Sequence, residues 1–229
     1  MNERARVDFD DYTENYNQIL RESVGFFSEN EAYFARYKVE IVSKALRTKP
    51  ARILEYGCGI GRNIPFLREF FPSAQIEGSD VAPVSLEIAR KENPGVHFFL
   101  EGEHQPELYD LIFVAGVFHH IPPAQRPGAA RSISSRLKPG GEVYVFEHNP
   151  YNPVTRRIVN NCPYDEDAIL LKPSEMKAHL QNASLVADRH EYCLFIPPKL
   201  SAIAWTENLM GWLPLGGQYW VRGTSRPQE

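Results

Sequence analysis

The sequence predicts an α/β domain built on a doubly wound, seven-stranded, mostly parallel sheet, and three observations predict it. Short apolar runs alternate with segments of helical periodicity through the centre of the chain. The first apolar run ends in Gly57, Gly59 and Gly61, just ahead of a helical segment, as a ligand-binding turn between a strand and a helix requires. A chain of 229 residues, 43% apolar and 24% charged, buries one full core without disulfide staples.

The elements follow in order. Ser28 and Glu31 have the spacing of a capping box and predict a helix to about residue 46, with Phe34, Tyr37, Ile41 and Ala45 turned to the sheet. Residues 51–56 read as the first strand and 63–71 as a helix stopped by Pro72. Residues 74–78 form a second strand running into Ser79-Asp80, and 83–91 a helix that opens on Pro83. Strands are expected at 96–100 and 110–117, the latter apolar enough to be buried on both faces. A helix lies within 124–137, and Lys138-Pro139-Gly140-Gly141 turns into a fifth strand at 142–147. Residues 148–173 read as irregular. Ser174 caps a helix to about 182, 185–196 is a long strand, Pro197-Pro198 opens an apolar insertion over 199–217, and 218–222 is the last strand. The whole reads as one domain over 1–229, with a helical cap at about 1–48, a core at 50–150, and insertions at 148–173 and 197–217 on the ligand side.

Composition excludes several classes. The net charge of −4 supplies no basic field for nucleic acid or an anionic membrane. Cys58, Cys162 and Cys193 form no CxxC pair, which argues against a zinc ribbon, a redox dithiol and a disulfide scaffold. The segment MNERARVDFDDYTENY has no apolar leader, and no apolar run approaches the roughly 20 residues of a membrane span. A cytoplasmic protein without stable membrane insertion is expected.

The densest signal is Glu55-Tyr56-Gly57-Cys58-Gly59-Ile60-Gly61. A dinucleotide fingerprint needs its third glycine where Arg62 stands, so the pattern is instead acidic-x-G-x-G-x-G. Asp80 follows Gly61 by 19 residues and ends the second strand, beside the ribose of a nucleoside bound at the carboxyl edge of such a sheet.

With Tyr109-Asp110-Leu111-Ile112-Phe113, Val117-Phe118-His119-His120-Ile121 and Leu137-Lys138-Pro139-Gly140-Gly141, this pattern resembles the class I S-adenosylmethionine-dependent methyltransferases over residues 50–150. The resemblance implies their Rossmann-like fold, S-adenosyl-L-methionine as cofactor and S-adenosyl-L-homocysteine as product. It implies that the backbone of Gly57, Cys58, Gly59 and Gly61 lies under the methionine and ribose, and that Glu55 holds the amino group. Asp80 would bind the ribose hydroxyls, Val81 would pack on adenine, and Glu103, with Glu101 next in order, would meet the adenine amine. Ala115 and Gly116 would contact the amino-acid part of the cofactor.

Methyl transfer from a sulfonium is an in-line displacement, so the protein chiefly positions the acceptor, roughly 3 Å from the methyl carbon. No metal is needed, and none is expected. A base is needed only where the acceptor must lose a proton, and His119, His120 and His148 are the candidates, each with an alternative role of holding a loop. Tyr16, Tyr151, Arg156 and Arg157 are candidate substrate contacts; the two arginines read alternatively as partners of Asp165-Glu166-Asp167. Glu147 reads either as a partner for an amine acceptor or as a support for Arg156. The apolar 199–217 insertion reads as a lid, a homodimer contact or a membrane-surface helix; with Lys199 its only basic residue, the first two are preferred. The expected reaction is methylation of an oxygen on a small metabolite or natural-product intermediate with an apolar part. The alternatives are N-methylation of a small amine and a non-catalytic partner of another enzyme.

Overall fold

Alternation between strand and helix wraps the chain around a single sheet, seen in a computed structural model that describes residues 31–103 and 107–226. Helix α1 (Glu31–Ala45) leads into β1 (Arg52–Tyr56), α2 (Ile64–Phe70), β2 (Gln75–Asp80), α3 (Pro83–Glu92) and β3 (His97–Leu100). Then come β4 (Tyr109–Ala115), α4 (Arg126–Ser135), β5 (Leu137–His148), α5 (Pro153–Asn161), α6 (Pro173–Asn182), β6 (Val186–Cys193) and β7 (Gln218–Thr224). The seven strands lie in the order β3-β2-β1-β4-β5-β7-β6. The first five in that order pair parallel, while β7 runs antiparallel to β5 and β6. The strand order reverses between β1 and β4, and in such a sheet the crevice beyond the carboxyl ends at that point is the ligand site.

The core has two halves because successive side chains of a buried strand alternate between faces. Leu54, Ile112, Val114, Val143 and Val145 pack on one face with Ile133 of α4 and with Met176 and Leu180 of α6. Ile53, Leu111, Phe113, Tyr144 and Phe146 pack on the other with Val39 and Val42 of α1, Leu67 of α2 and Leu86 of α3. Each such side chain, once fully buried, contributes about 1.5–3 kcal/mol, which fixes the sheet rigidly under the crevice.

Several elements differ from the sequence reading. The buried stripe of α1 is Ala35, Val39 and Val42, while Tyr37, Ile41 and Ala45 only flank it; the Ser28 cap lies outside the described residues. Strand β5 begins at Leu137, because β4 already pairs there at Tyr109. Lys138–Gly141 is therefore an irregularity inside the strand, with register moving from Tyr109↔Leu137 to Leu111↔Glu142, and not a turn before it. Within 148–173 the chain forms α5, where Asn152 accepts from Val154 N (2.9 Å) and Thr155 N (3.1 Å) and Pro153 takes the first helical position. Asn-Pro is thus a helix start here. Helix α6 opens at Pro173, and Glu175, not Ser174, closes its end by accepting from Lys172 N at 2.6 Å. Strand β6 stops at Cys193 because Leu194 takes a left-handed φ of 61°. The insertion winds into 3-10 turns over Pro198–Leu209 that leave Trp205 and Leu209 exposed. Among the described residues no helix is long and apolar enough to cross a membrane.

Candidate active site

The loop after β1 is tied down by its neighbour. Gly57 N and Cys58 N both donate to Ser79 O, at 2.8 and 2.9 Å, which brings the glycine loop against the end of β2. Gly57 has a φ of 69°, and a Cβ there would stand 2.5 Å from Val117 Cγ2, so the crossing with the β4 loop requires glycine. Gly59, at φ 52°, has nothing within 4 Å of a Cβ position and floors an open cleft.

Asp80 organises that floor. Its Oδ2 accepts from Gly59 N (2.7 Å) and its Oδ1 from Ala82 N (2.9 Å). A carboxylate offers about four lone-pair positions, so the group keeps acceptor capacity beyond these backbone donors. Burial raises the pKa of Asp80, while these backbone donors oppose the shift.

Glu55 lies beneath the loop, 1% exposed. Asn63 Nδ2 donates to its Oε1 at 2.5 Å, whereas Oε2 is buried with no hydrogen-bond partner. Burial, helped by the nearby Asp80 charge, pushes the Glu55 pKa up to about 8. An unsatisfied buried acceptor costs about 1–3 kcal/mol, which a bound donor would recover.

The cleft encloses about 180 Å³. Gly57, Cys58, Gly59, Asp80, Val81, Ala115, Gly116 and His120 line it; the buried Glu55 is not a lining residue, but its partner Asn63 and its chain neighbour Tyr56 are. Gly61 stands outside the lining; its carbonyl accepts from Asn93 Nδ2 at 3.2 Å, which anchors the end of the loop. Glu103 is misplaced for a cleft contact. It is exposed, and its Oε2 accepts from Leu100 N at 3.1 Å, closing the end of β3. Glu101 lines the cleft instead, held by Arg136 Nη1 at 2.6 Å.

A second cluster abuts the cleft. Glu147, 1% exposed at the end of β5, accepts from Val117 N (3.1 Å) and Phe118 N (2.7 Å) and holds His119 Nδ1 at 2.6 Å. His119 Nε2 lies 3.5 Å from Asp165 Oδ1, and so does His120 Nε2. His120 Nδ1 meets Asp167 Oδ1 at 3.1 Å, and the His148 ring centre is 4.9 Å from that of His119. Burial opposes a charge on His119, but Glu147 and Asp165 outweigh it and carry its pKa up to about 10. Burial and the His119 charge push His148 down to about 4 and also lower His120. Of the three histidines, His120 alone lines the cleft.

The substrate contacts expected from sequence are not brought together. Thr155 and Val159 are the buried face of α5, so Arg156 and Arg157 are exposed on it, as is Tyr151 before it. None of the three lines the cleft. Asp165 turns to the histidines rather than to the arginines, and Glu147 turns inward to His119 rather than to Arg156. Tyr16 lies outside the described residues. Sequence reasoning missed Asn63 as the support of Glu55, Tyr164 as a cleft residue, and Asp165 and Asp167 as histidine partners. Asn63 alone carried a local signal, standing just ahead of the helix behind the glycine loop.

Comparison with known proteins gives the family and the fold. A family model described as a methyltransferase domain matches residues 27–199. The chain belongs to that methyltransferase family. It is 30% identical over 141 residues to a trans-aconitate 2-methyltransferase of Methylobacterium nodulans, covering 56% of this chain and 52% of that protein. It is 25% identical over 178 residues to a ubiquinone biosynthesis O-methyltransferase of Xanthomonas euvesicatoria, covering 70% and 73% of the two chains. The matched part spans about half of the trans-aconitate relatives (52% and 45%) and 25% of an uncharacterized Synechococcus protein. A crystal structure of a SAM-dependent methyltransferase from Archaeoglobus fulgidus has the same fold, with a TM-score of 0.67 at 12% identity over 92% of this chain and 100% of that one.

Proposed function

We propose that the chain transfers the methyl group of S-adenosyl-L-methionine to an oxygen atom of a small-molecule acceptor with an apolar part. The single observation that carries the cofactor reading is the buried, unpartnered Oε2 of Glu55 beneath the glycine loop. A cationic amino group is the donor such an atom lacks. The remaining lone pairs of Asp80 suit the paired hydroxyls of a ribose. Val81, 58% exposed in the cleft wall, offers an apolar surface to adenine. Glu101 takes the place beside the adenine amine that sequence reasoning gave to Glu103.

When bound, S-adenosyl-L-methionine supplies a methyl group already activated by its positively charged sulfur. The residues of the chain then bind and orient. Glu55 and Asp80 fix the two ends of the cofactor's polar framework, and Gly57 and Gly59 let the backbone approach it closely. The acceptor enters against His120, Ile121 and Tyr164, the part of the lining that the cofactor residues leave open. Names among the relatives, a trans-aconitate 2-methyltransferase and a ubiquinone biosynthesis O-methyltransferase, support small acceptors, and the second supports oxygen.

The test is incubation of the full chain with methyl-labelled S-adenosyl-L-methionine and a panel of small carboxylic acids, phenols and amines. Label recovered as methyl ester or ether supports this reading. Label on amines alone moves the reaction to nitrogen, and cofactor binding without label on any acceptor moves the protein to a binding role.

A further inference from the structure

We propose that His119, His120 and Asp165 bind one divalent transition-metal cation of the zinc type, with an open coordination position toward the cleft. One ligand atom from each of the three residues lies within 4.8 Å of the other two. The Nε2 atoms of the two histidines face the same carboxylate oxygen, Asp165 Oδ1, each at 3.5 Å. Metal bonds of about 2.0–2.1 Å at a tetrahedral angle put ligand atoms roughly 3.3–3.4 Å apart, close to the 3.5 Å between each Nε2 and Asp165 Oδ1.

The surroundings of the three ligands match what a metal site needs. A ligating histidine ordinarily donates its other ring N–H to a carboxylate, which fixes its tautomer and aims its lone pair. Both histidines have that partner: Glu147 Oε2 at 2.6 Å for His119 Nδ1, and Asp167 Oδ1 at 3.1 Å for His120 Nδ1. With Nδ1 of each ring so committed, the two Nε2 atoms are both turned toward Asp165 Oδ1. Three carboxylates, Glu147, Asp165 and Asp167, also converge on two imidazoles, a negative excess that a dication balances. Two imidazoles and one carboxylate suit zinc, iron, cobalt or nickel better than magnesium or calcium.

The frame is held from behind. Ile169 N donates to His119 O at 2.8 Å, tying the segment that carries Asp165 to the one that carries the histidines. The buried Arg126 bridges the same two segments, donating from Nε to Ile121 O (2.9 Å) and from Nη2 to Ile169 O (2.5 Å). His120 and Tyr164, the residue next to Asp165, both line the cleft, so the site opens onto it. An oxygen of the acceptor is the ligand this open position fits; that role rests on the proposed methyl transfer, whereas the metal site does not. The sequence reading expected no metal and took His119 and His120 as candidate bases.

The test is titration of the chelator-treated full chain with Zn²⁺ by calorimetry and with Co²⁺ by visible absorption, without any cofactor. One equivalent per chain is expected, with the intense d–d bands of tetrahedral Co²⁺. His120→Ala and Asp165→Asn should abolish the bands, and the milder Asp167→Asn should weaken Zn²⁺ binding by about 10- to 100-fold. His190→Ala, remote on β6, should change nothing, and circular dichroism melts check that each variant is folded. Absence of saturable binding, or binding that His120→Ala and Asp165→Asn leave intact, overturns the inference. A chain that binds S-adenosyl-L-homocysteine but no metal overturns the metal site and spares the methyl-transfer reading. Metal binding without cofactor binding supports the site and sinks that reading.

Discussion

Asn63 satisfies only one of the two carboxylate oxygens of Glu55: its Nδ2 donates to Oε1 at 2.5 Å, and Oε2 stays buried without a partner. Glu55 ends up there because β1 pairs with both β2 and β4, which enclose it from either side, and the glycine loop closes above. The half-satisfied carboxylate is poised for a cationic donor.

Its proton equilibrium follows. The Glu55 pKa is raised from 4.5 to about 8, first by burial. A raised folded-state pKa gives stability that is fully present below the unfolded value and is lost as pH rises toward the folded one. Glu55→Gln removes the ionisation and keeps an acceptor for Asn63. It should therefore melt above the wild type at pH 8, with the difference shrinking as pH falls toward 4.5. Thermal melts of both proteins across that range check this; parallel curves would remove the raised pKa.

Asp80→Ala takes away the acceptor of Gly59 N and Ala82 N together with the acceptor capacity left for a ligand. S-adenosyl-L-homocysteine should bind more weakly by about 1–3 kcal/mol, roughly 5- to 150-fold, as for loss of hydrogen bonds to a charged group. Calorimetry on the folded variant measures it, and unchanged affinity would remove Asp80 from the site.

Gly57→Ala places a methyl group 2.5 Å from Val117 Cγ2 at a φ of 69°. The variant should lose about 1–3 kcal/mol of stability from backbone strain alone, plus the cost of the clash. Adding Val117→Ala should recover the clash component and leave the strain. Denaturant unfolding of the single and double variants separates the two.

Legibility in the sequence tracks how local each feature is. The glycine loop and Asp80 could be read because both end strands that pair directly, Tyr56 opposite Ser79, so strand order alone brings them together. Helix α5 was not legible, since Asn152-Pro153 serves equally as a turn and as a cap followed by a first helical residue. Glu103 and Glu101 differ by a small step in a loop, and only Arg136 across from Glu101 shows which one turns inward. The approach of Asp165 to His119 had no local signal, because it depends on Ile169 N meeting His119 O across the fold.

The most direct test of the central claim is calorimetric titration of wild type and Glu55→Gln with S-adenosyl-L-homocysteine at several pH values. The bound pair shares one proton between Glu55, with its pKa of about 8, and the ligand's amino group, which titrates above the peptide N-terminal value of about 7.7–8.0 because a carboxylate stands beside it. Wild-type affinity should therefore peak between the two pKa values and fall on both sides, releasing a proton below the peak and taking one up above it. Glu55→Gln should bind at least about 10-fold more weakly at the peak, as expected for a lost charge-assisted hydrogen bond, and should lose the acid limb. Equal affinity of the two proteins at every pH would contradict the assignment of Glu55 to the cofactor's amino group.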